Sequence, residues 1–330
     1  MTSPETGTER LPSPLGRYEL PLAALAASAA FSAVFLVPIV GILGVPLAAV
    51  PPVRLAHRQG LVAGMTACAL TAAVVLGLGW AGGGVGAGLA LALLAAGVTA
   101  LPTASVGFLR AGVEPSRCYV GLCLAGCALI AAAYTASATG AGVSVSSQVA
   151  ATFDQFIPGA VEAYARSGAD AAAVARIREM YEAAREFARA AIWGMFAVLW
   201  VFGSAVAFYL GALAARPGAT ADAARFDALR IPAAGAAIFV GAGAAFGLLS
   251  GEGRRLAGNL LLPLLALYFV AGLSIICHFF RKWFRARILR VGLYALAASY
   301  FPINCGVALL GLFDWYADFR RRGEGVIKKS

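Results

Sequence analysis

The sequence predicts an all-α protein, a polytopic transmembrane helix bundle of about eight spans (eight or nine). Three observations predict it. Hydrophobic residues make up 61% of the chain and charged residues only 13%, against the roughly 25% charged that a soluble domain needs to cover its outside. Apolar runs of about 20 residues, the length that crosses a ~30 Å hydrocarbon core, recur along the chain. Most Lys and Arg of this +10 chain stand at the ends of those runs, where they anchor helices and meet anionic headgroups.

The elements follow in order. A polar tail (1–19) precedes a first helix over 20–43, whose apolar run is about twice a signal h-region and reads as retained. Residues 45–57 hold Pro46, Pro51 and Pro52. They predict a short broken helix, either re-entrant or a surface turn, because each proline deletes a backbone donor and broken backbone at membrane depth must be covered. Helices over 60–80 and 85–109 flank the turn Gly82-Gly83-Gly84, and a helix over 118–139 completes an N-terminal helical half (20–139). The segment 140–189 is the long polar stretch. Within it Ile177, Met180, Tyr181, Ala184, Phe187 and Ala188 recur at three- and four-residue spacing, an amphipathic helix expected outside the hydrocarbon core. Such a helix reads as lying along the headgroups or capping the bundle, with a docking role as the alternative. A C-terminal helical half (190–313) follows, with helices over 190–214, 232–249, 256–280 and 291–313. Then comes a basic tail (314–330).

Orientation does not follow from charge alone. A basic connector (Arg281, Lys282, Arg285, Arg287, Arg290) and the basic tail flank the last helix, and a single crossing between them puts them on opposite faces.

No catalytic constellation emerges, and the sequence implies no enzyme, no metal and no cofactor. The two histidines, His57 and His278, have no second ligand at metal spacing on their own helices. Six cysteines lie in or beside apolar runs and read as small buried groups. The glycine clusters join apolar helices and do not follow a strand, which fails the dinucleotide pattern. Nucleic acid is not an expected partner; the lipid bilayer, anionic lipids included, is.

Polar groups at membrane depth carry the candidate site. Asn259 lies four residues before Pro263, and Asn304 two after Pro302. Each proline frees a carbonyl one turn earlier that an amide or water can answer. Asn259, Asn304, Tyr268 and His278 are therefore the candidate ligand-binding residues, with single interhelical hydrogen bonds as the simpler reading. Small residues four apart, Ala23/Ala27, Ala26/Ala30, Ala63/Ala67 and Ala69/Ala73, are candidate close-packing faces.

Three stretches carry a resemblance. They are Arg58-Gln-Gly60-Leu-Val-Ala-Gly64, the run Asn259-Leu-Leu-Leu-Pro-Leu-Leu-Ala-Leu-Tyr268-Phe-Val-Ala-Gly272-Leu, and Gly311-Leu-Phe-Asp314-Trp315-Tyr-Ala-Asp318-Phe319-Arg320. In these the chain resembles the YybS-like bacterial membrane proteins (domain of unknown function 2232), with Gly311, Asp314, Asp318 and Arg320 as the family motif. The resemblance implies a multi-pass protein of the bacterial cytoplasmic (inner) membrane. It also implies an N-terminal half similar to the substrate-binding S components of energy-coupling-factor transporters. There a short second helix and small-residue faces on the first and third helices, here Ala23, Ala27, Ala63 and Ala67, meet a membrane partner subunit. Two functions are thus expected: S-component-like binding or transport of a small, mostly uncharged solute, or a non-transport scaffold or regulator acting through the amphipathic segment and basic tail.

Overall fold

The computed structural model describes residues 18–36, 44–140, 145–168, 170–215, 225–283 and 301–320, and every regular element among them is a helix. They are α1 (Glu19–Leu36), α2 (Val50–Gln59), a long helix Leu61–Arg110 bent into α3 (Leu61–Gly82) and α4 (Gly88–Arg110), α5 (Pro115–Gly140), α6 (Val145–Arg166), α7 (Ala171–Ala215), α8 (Ala233–Leu248), α9 (Gly251–Trp283) and α10 (Phe301–Ala317). Five stretches are long and apolar enough to cross a membrane: α3, α4, and the segments Pro115–Ala132, Ala171–Ala214 and Gly251–Arg281. They coincide with five expected spans. The first helix and α8 are shorter apolar helices, and residues 37–43 and 284–300 lie outside the described residues. The chain divides into two compact units, 1–118 with 203–225, and 119–202 with 226–330.

In the first unit the expected glycine turn is a single residue. Gly84 has φ 82° and ψ 177°, in the left-handed range that glycine enters freely. Its bend folds α3 back on α4 so closely that a Cβ on Gly79 would lie 2.7 Å from the Gly88 Cα. Hydroxyls in these helices bond carbonyls of their own turn, as buried groups without water must: Thr71 Oγ1 to Ala67 O (2.9 Å), Thr99 Oγ1 to Ala95 O (2.8 Å) and Thr103 Oγ1 to Thr99 O (2.7 Å).

The broken helix resolves into a short helical piece over 44–48 and, after a turn at Ala49, α2, ten residues long and so roughly 15 Å, half a hydrocarbon core. Pro51 and Pro52 occupy its first turn, where a missing N–H costs nothing. Pro52, Val53, Leu55 and Ala56 are buried, and Gly64 admits it, since a Cβ there would meet the Ala56 Cβ at 2.6 Å and the Pro52 O at 2.9 Å. Arg110 Nη2 donates to the Ala56 and His57 carbonyls (2.9 and 3.2 Å), a cation at a helix C-terminus.

The second unit corrects the amphipathic segment. It is not a separate helix in the headgroup plane: α7 continues from it without a break into the apolar span, 45 residues in all. Its polar first part pairs with α6 as a helical hairpin. Gly168 makes the turn (φ 88°), the Asp170 Oδ1 caps α7 by accepting from the Ala173 N–H (2.6 Å), and Arg185 pairs with Asp154 (2.8 Å). The side of α7 that packs runs through Ile177, Tyr181, Arg185, Ala188 and Ile192; Met180, Ala184 and Phe187 of the expected apolar stripe are exposed. The apolar part of α7 docks on α5 through two groove-crossing bonds, Tyr119 OH to Val201 O (3.0 Å) and Trp200 Nε1 to Leu122 O (3.1 Å).

Candidate functional site

Asn259 is a helix-to-helix staple. Its Nδ2 donates to the Ala190 O (2.7 Å) and to the Arg255 O (2.9 Å), and its Oδ1 accepts from the Gly194 N–H (2.9 Å). The amide thus ties α9 to α7 and answers the carbonyl one turn before itself rather than the one Pro263 frees. None of its bonds runs to Asn304, which is half-buried on α10. Tyr268 is 2% exposed, with its ring edge-on to Phe239 at 5.5 Å. His278 is half-buried with its ring edge-on to Phe279. The structure does not gather these four residues around one space.

The alanine faces need a correction. Ala27 and Ala67 are 0% exposed, enclosed where Thr71 Oγ1 reaches across to the Ala24 O of α1 (3.4 Å). They join α1 to α3 and present no surface to a partner. Ala23 and Ala63 are half-buried, whereas Ala26, Ala69 and Ala73 face outward.

The residues that do converge are those of the C-terminal motif. Gly311 and Gly272 let α9 and α10 touch through their backbones: a Cβ on Gly311 would meet the Tyr268 O, and one on Gly272 the Val307 O. Beyond that contact α10 ends and Asp318, at φ 42°, turns the chain so that Arg320 points back into the protein. Arg320 is 5% exposed. Its Nη2 donates to the Leu229 O (2.7 Å) and the Ser274 Oγ (2.8 Å) and faces the Asp314 Oδ2 at 3.6 Å. Burial pulls its guanidinium below its usual range and Asp314 opposes that pull. Two further pairs surround it, Arg281 with Asp227 (3.0 Å) and Arg230 with Asp318 (2.8 Å). Among the described residues, three cations thus stand beside three carboxylates.

Sequence reasoning reached Asp314, Asp318 and Arg320 but missed Asp227, Leu229 and Ser274. The signal was faint: one Phe-Asp-Ala-Leu-Arg run between a polar loop and Pro232, now a 3₁₀ turn (Phe226–Ala228). A cleft of about 70 Å³ opens beside the cluster, lined by Leu229, Arg230, Ile231, Ala271, Gly311, Asp314 and Trp315. It is well below the ~300 Å³ at which small-molecule pockets begin.

The cluster also draws together one residue from each of the two basic stretches. Arg281 closes α9 and Arg320 follows α10, yet both bind the same segment, through Asp227 and Leu229. Arg281 and Arg320 thus meet at one segment, and the rest of the connector and of the tail (284–300 and 321–330) lies outside the described residues. The α6–α7 hairpin stands at the other end, since Ala190 and Gly194 lie level with Asn259 near the start of α9 and Phe202, further along α7, meets Phe269, further along α9.

Neither a curated protein nor a solved structure matches this chain. One family does, over residues 25–315, a stretch that takes in Gly311 and Asp314 and stops short of Asp318 and Arg320. With only helices and five candidate apolar spans among its described residues, and matched over most of its length, the chain belongs to the family described as Predicted membrane protein (DUF2232).

Proposed function

We propose that this integral membrane protein is a non-transport scaffold or regulator that holds the α6–α7 hairpin clear of the bilayer as a docking element. The observation that carries this reading is the unbroken α7. At 1.5 Å per residue its 45 residues run to roughly 68 Å, about twice the hydrocarbon thickness. The part that cannot be in lipid is its start, where Arg176, Arg178, Glu179, Glu182, Arg185, Glu186 and Arg189 fall. Phe156, Met180 and Phe187 stay 74%, 61% and 57% exposed on that hairpin. Supporting this reading over a solute site, Asn259 is satisfied by the protein itself and the cleft at the C-terminal cluster is small. The reading assigns no catalytic chemistry. It places the Arg281–Arg320 end in the bacterial cytoplasm by the positive-inside rule, and the hairpin on the far side of the cytoplasmic membrane.

Photocrosslinking side chains placed at 180 and 187 in native membranes test it, with lipid-facing position 74 as the control. A discrete protein adduct at 180 and 187 and none at 74 is expected; lipid adducts alone at all three positions defeat the reading.

A second reading, S-component-like solute binding with a membrane partner, draws support from α2, a short proline-started helix held inside the protein, and from the outward Ala26, Ala69 and Ala73. A saturable thermal shift of the purified protein with one of a panel of vitamins and nucleobases would favour it.

A further inference from the structure

The hairpin of α6 and α7 has two unlike faces. Its helices pack through Ile157 and Val161 on α6 and through Ile177, Tyr181 and Ala188 on α7, and the Asp154–Arg185 pair fixes their register. In an antiparallel pair, the residue just before each packing position turns to one side on both helices, and the residue just after turns to the other. The residues before are Phe156, Ala160, Arg176, Met180, Ala184 and Phe187. The residues after are Gln155, Pro158, Glu162, Arg178, Glu182 and Glu186. The first face is apolar around the single charge of Arg176, with Phe156, Met180 and Phe187 exposed on it. The second is charged. The unbroken α7 carries the apolar face away from lipid. Met180 stands roughly 15 Å before Ala190, where the apolar part of α7 begins, and a headgroup layer is only about 5–7 Å deep. Headgroups thus reach the root of the face and not its middle, and an apolar face standing in water marks a protein contact.

The face itself points to its occupant. Two helices wide over residues 173–188, it measures roughly 20 Å by 24 Å, so a pair of such faces hides about 1,000 Å², the lower bound of a specific interface. An interface of that size suits chains already held in one bilayer, because insertion has removed part of the freedom that binding costs. Two copies inserted alike carry their hairpins at one height. A two-fold axis along the membrane normal lays apolar face on apolar face, α6 of each copy against α7 of the other, and leaves every height unchanged. The Asp154–Arg185 pair sets Phe156 level with Ala183 and Ala184, so Phe156 of the second copy arrives between Met180 and Phe187. Positions 180, 183, 184 and 187 form the four-residue hole that receives a knob in coiled-coil packing, here with alanine at its two sides. The same register brings Tyr164 of the second copy level with Arg176, an aromatic ring for the one cation of the face. We propose that the apolar face of the α6–α7 hairpin is a homodimer interface, with Phe156 of each copy seated among Met180, Ala183, Ala184 and Phe187 of the other. This rests on the docking reading of the hairpin and names its partner as a second copy of the chain.

The test expresses the full chain in two differently tagged forms, with an aromatic photocrosslinking side chain at 156 or, on the charged face, at 178, and irradiates native membranes. Position 156 should join the two tagged forms and position 178 should not, and peptide mapping should place the adduct within 180–187. Ala184→Glu, at an exposed position, puts an unpaired carboxylate into the hole and should cut the joined form at least about tenfold. Met180→Asp, also exposed, should do the same, so a folding defect in one variant does not decide the result. Glu182→Ala, on the charged face, should leave the joined form unchanged. An adduct at 156 with a different protein, and no joined tags, overturns the homodimer and leaves the docking reading standing. Lipid adducts alone at 156 overturn both. Joining that is equal at 178, or that survives both Ala184→Glu and Met180→Asp, reports crowding in the membrane and overturns the homodimer.

Discussion

Gly311 lies so close to Tyr268 that a Cβ at position 311 would overlap the Tyr268 carbonyl oxygen. The oxygen belongs to helix backbone and the Cβ position is fixed by it, so neither can turn aside as a flexible side chain would. In lipid, where no hydrophobic force drives helices together, such backbone contact is a main source of association.

Gly311→Ala should therefore push α10 from α9 and lower stability by about 1–3 kcal/mol, the usual cost of overpacking. Gly241, in α8, has nothing near its would-be Cβ. Gly241→Ala should be neutral or raise stability, by up to about 1 kcal/mol from helix propensity. Thermal midpoints of the two variants in one detergent make the comparison.

Arg320→Met should leave Asp314 buried without its cation, along with the Leu229 carbonyl and the Ser274 hydroxyl it held. Breaking a buried pair from one side costs about 3–5 kcal/mol, whereas replacing both partners can be nearly neutral. The double variant Arg320→Met with Asp314→Leu should recover much of the loss. A double-mutant cycle read by chemical denaturation decides it, and purely additive losses would count against the pair.

His57 should make the protein acid-sensitive. Burial first, and Arg110 second, push its imidazole down from 6.5 to about 4, and its Nδ1 is buried without a hydrogen-bond partner. Between those values the unfolded chain binds a proton that the folded chain refuses, so stability is complete above pH ~6.5 and declines as pH falls toward 4. In His57→Gln the contribution of this site to that decline disappears. Thermal midpoints across pH 4–7.5 for both proteins would display it.

The shared end of α9 and α10 makes a topological forecast. A green fluorescent protein fused after Ser330 should fluoresce, because it stays in the cytoplasm with the basic tail. An alkaline phosphatase inserted at Gly168, the hairpin turn, should be active because it is exported. The reverse pattern would show that the positive-inside rule does not orient this chain.

The sequence determined the solvent and the element type. Stretches of about 20 residues with so few charges have a lower free energy in hydrocarbon than in water, and in hydrocarbon the backbone satisfies itself as helix. That is why five of the expected spans recur in place, and why the Gly82–Gly84 turn and the proline-marked α2 were legible: φ freedom and missing donors are local properties. What the sequence left open was every relationship that depends on which helix meets which. It suggested a pocket of asparagines, and packing made Asn259 a staple between α7 and α9. It offered Ala27 and Ala67 to a partner, and packing enclosed them. It cut the amphipathic segment from its span because charge changes abruptly there, although helical hydrogen bonding does not stop where polarity does. It set the two basic stretches apart along the chain, and only tertiary structure brought Arg281 of one and Arg320 of the other to Asp227 and Leu229, since pairing of charges is a property of space and not of order along the chain.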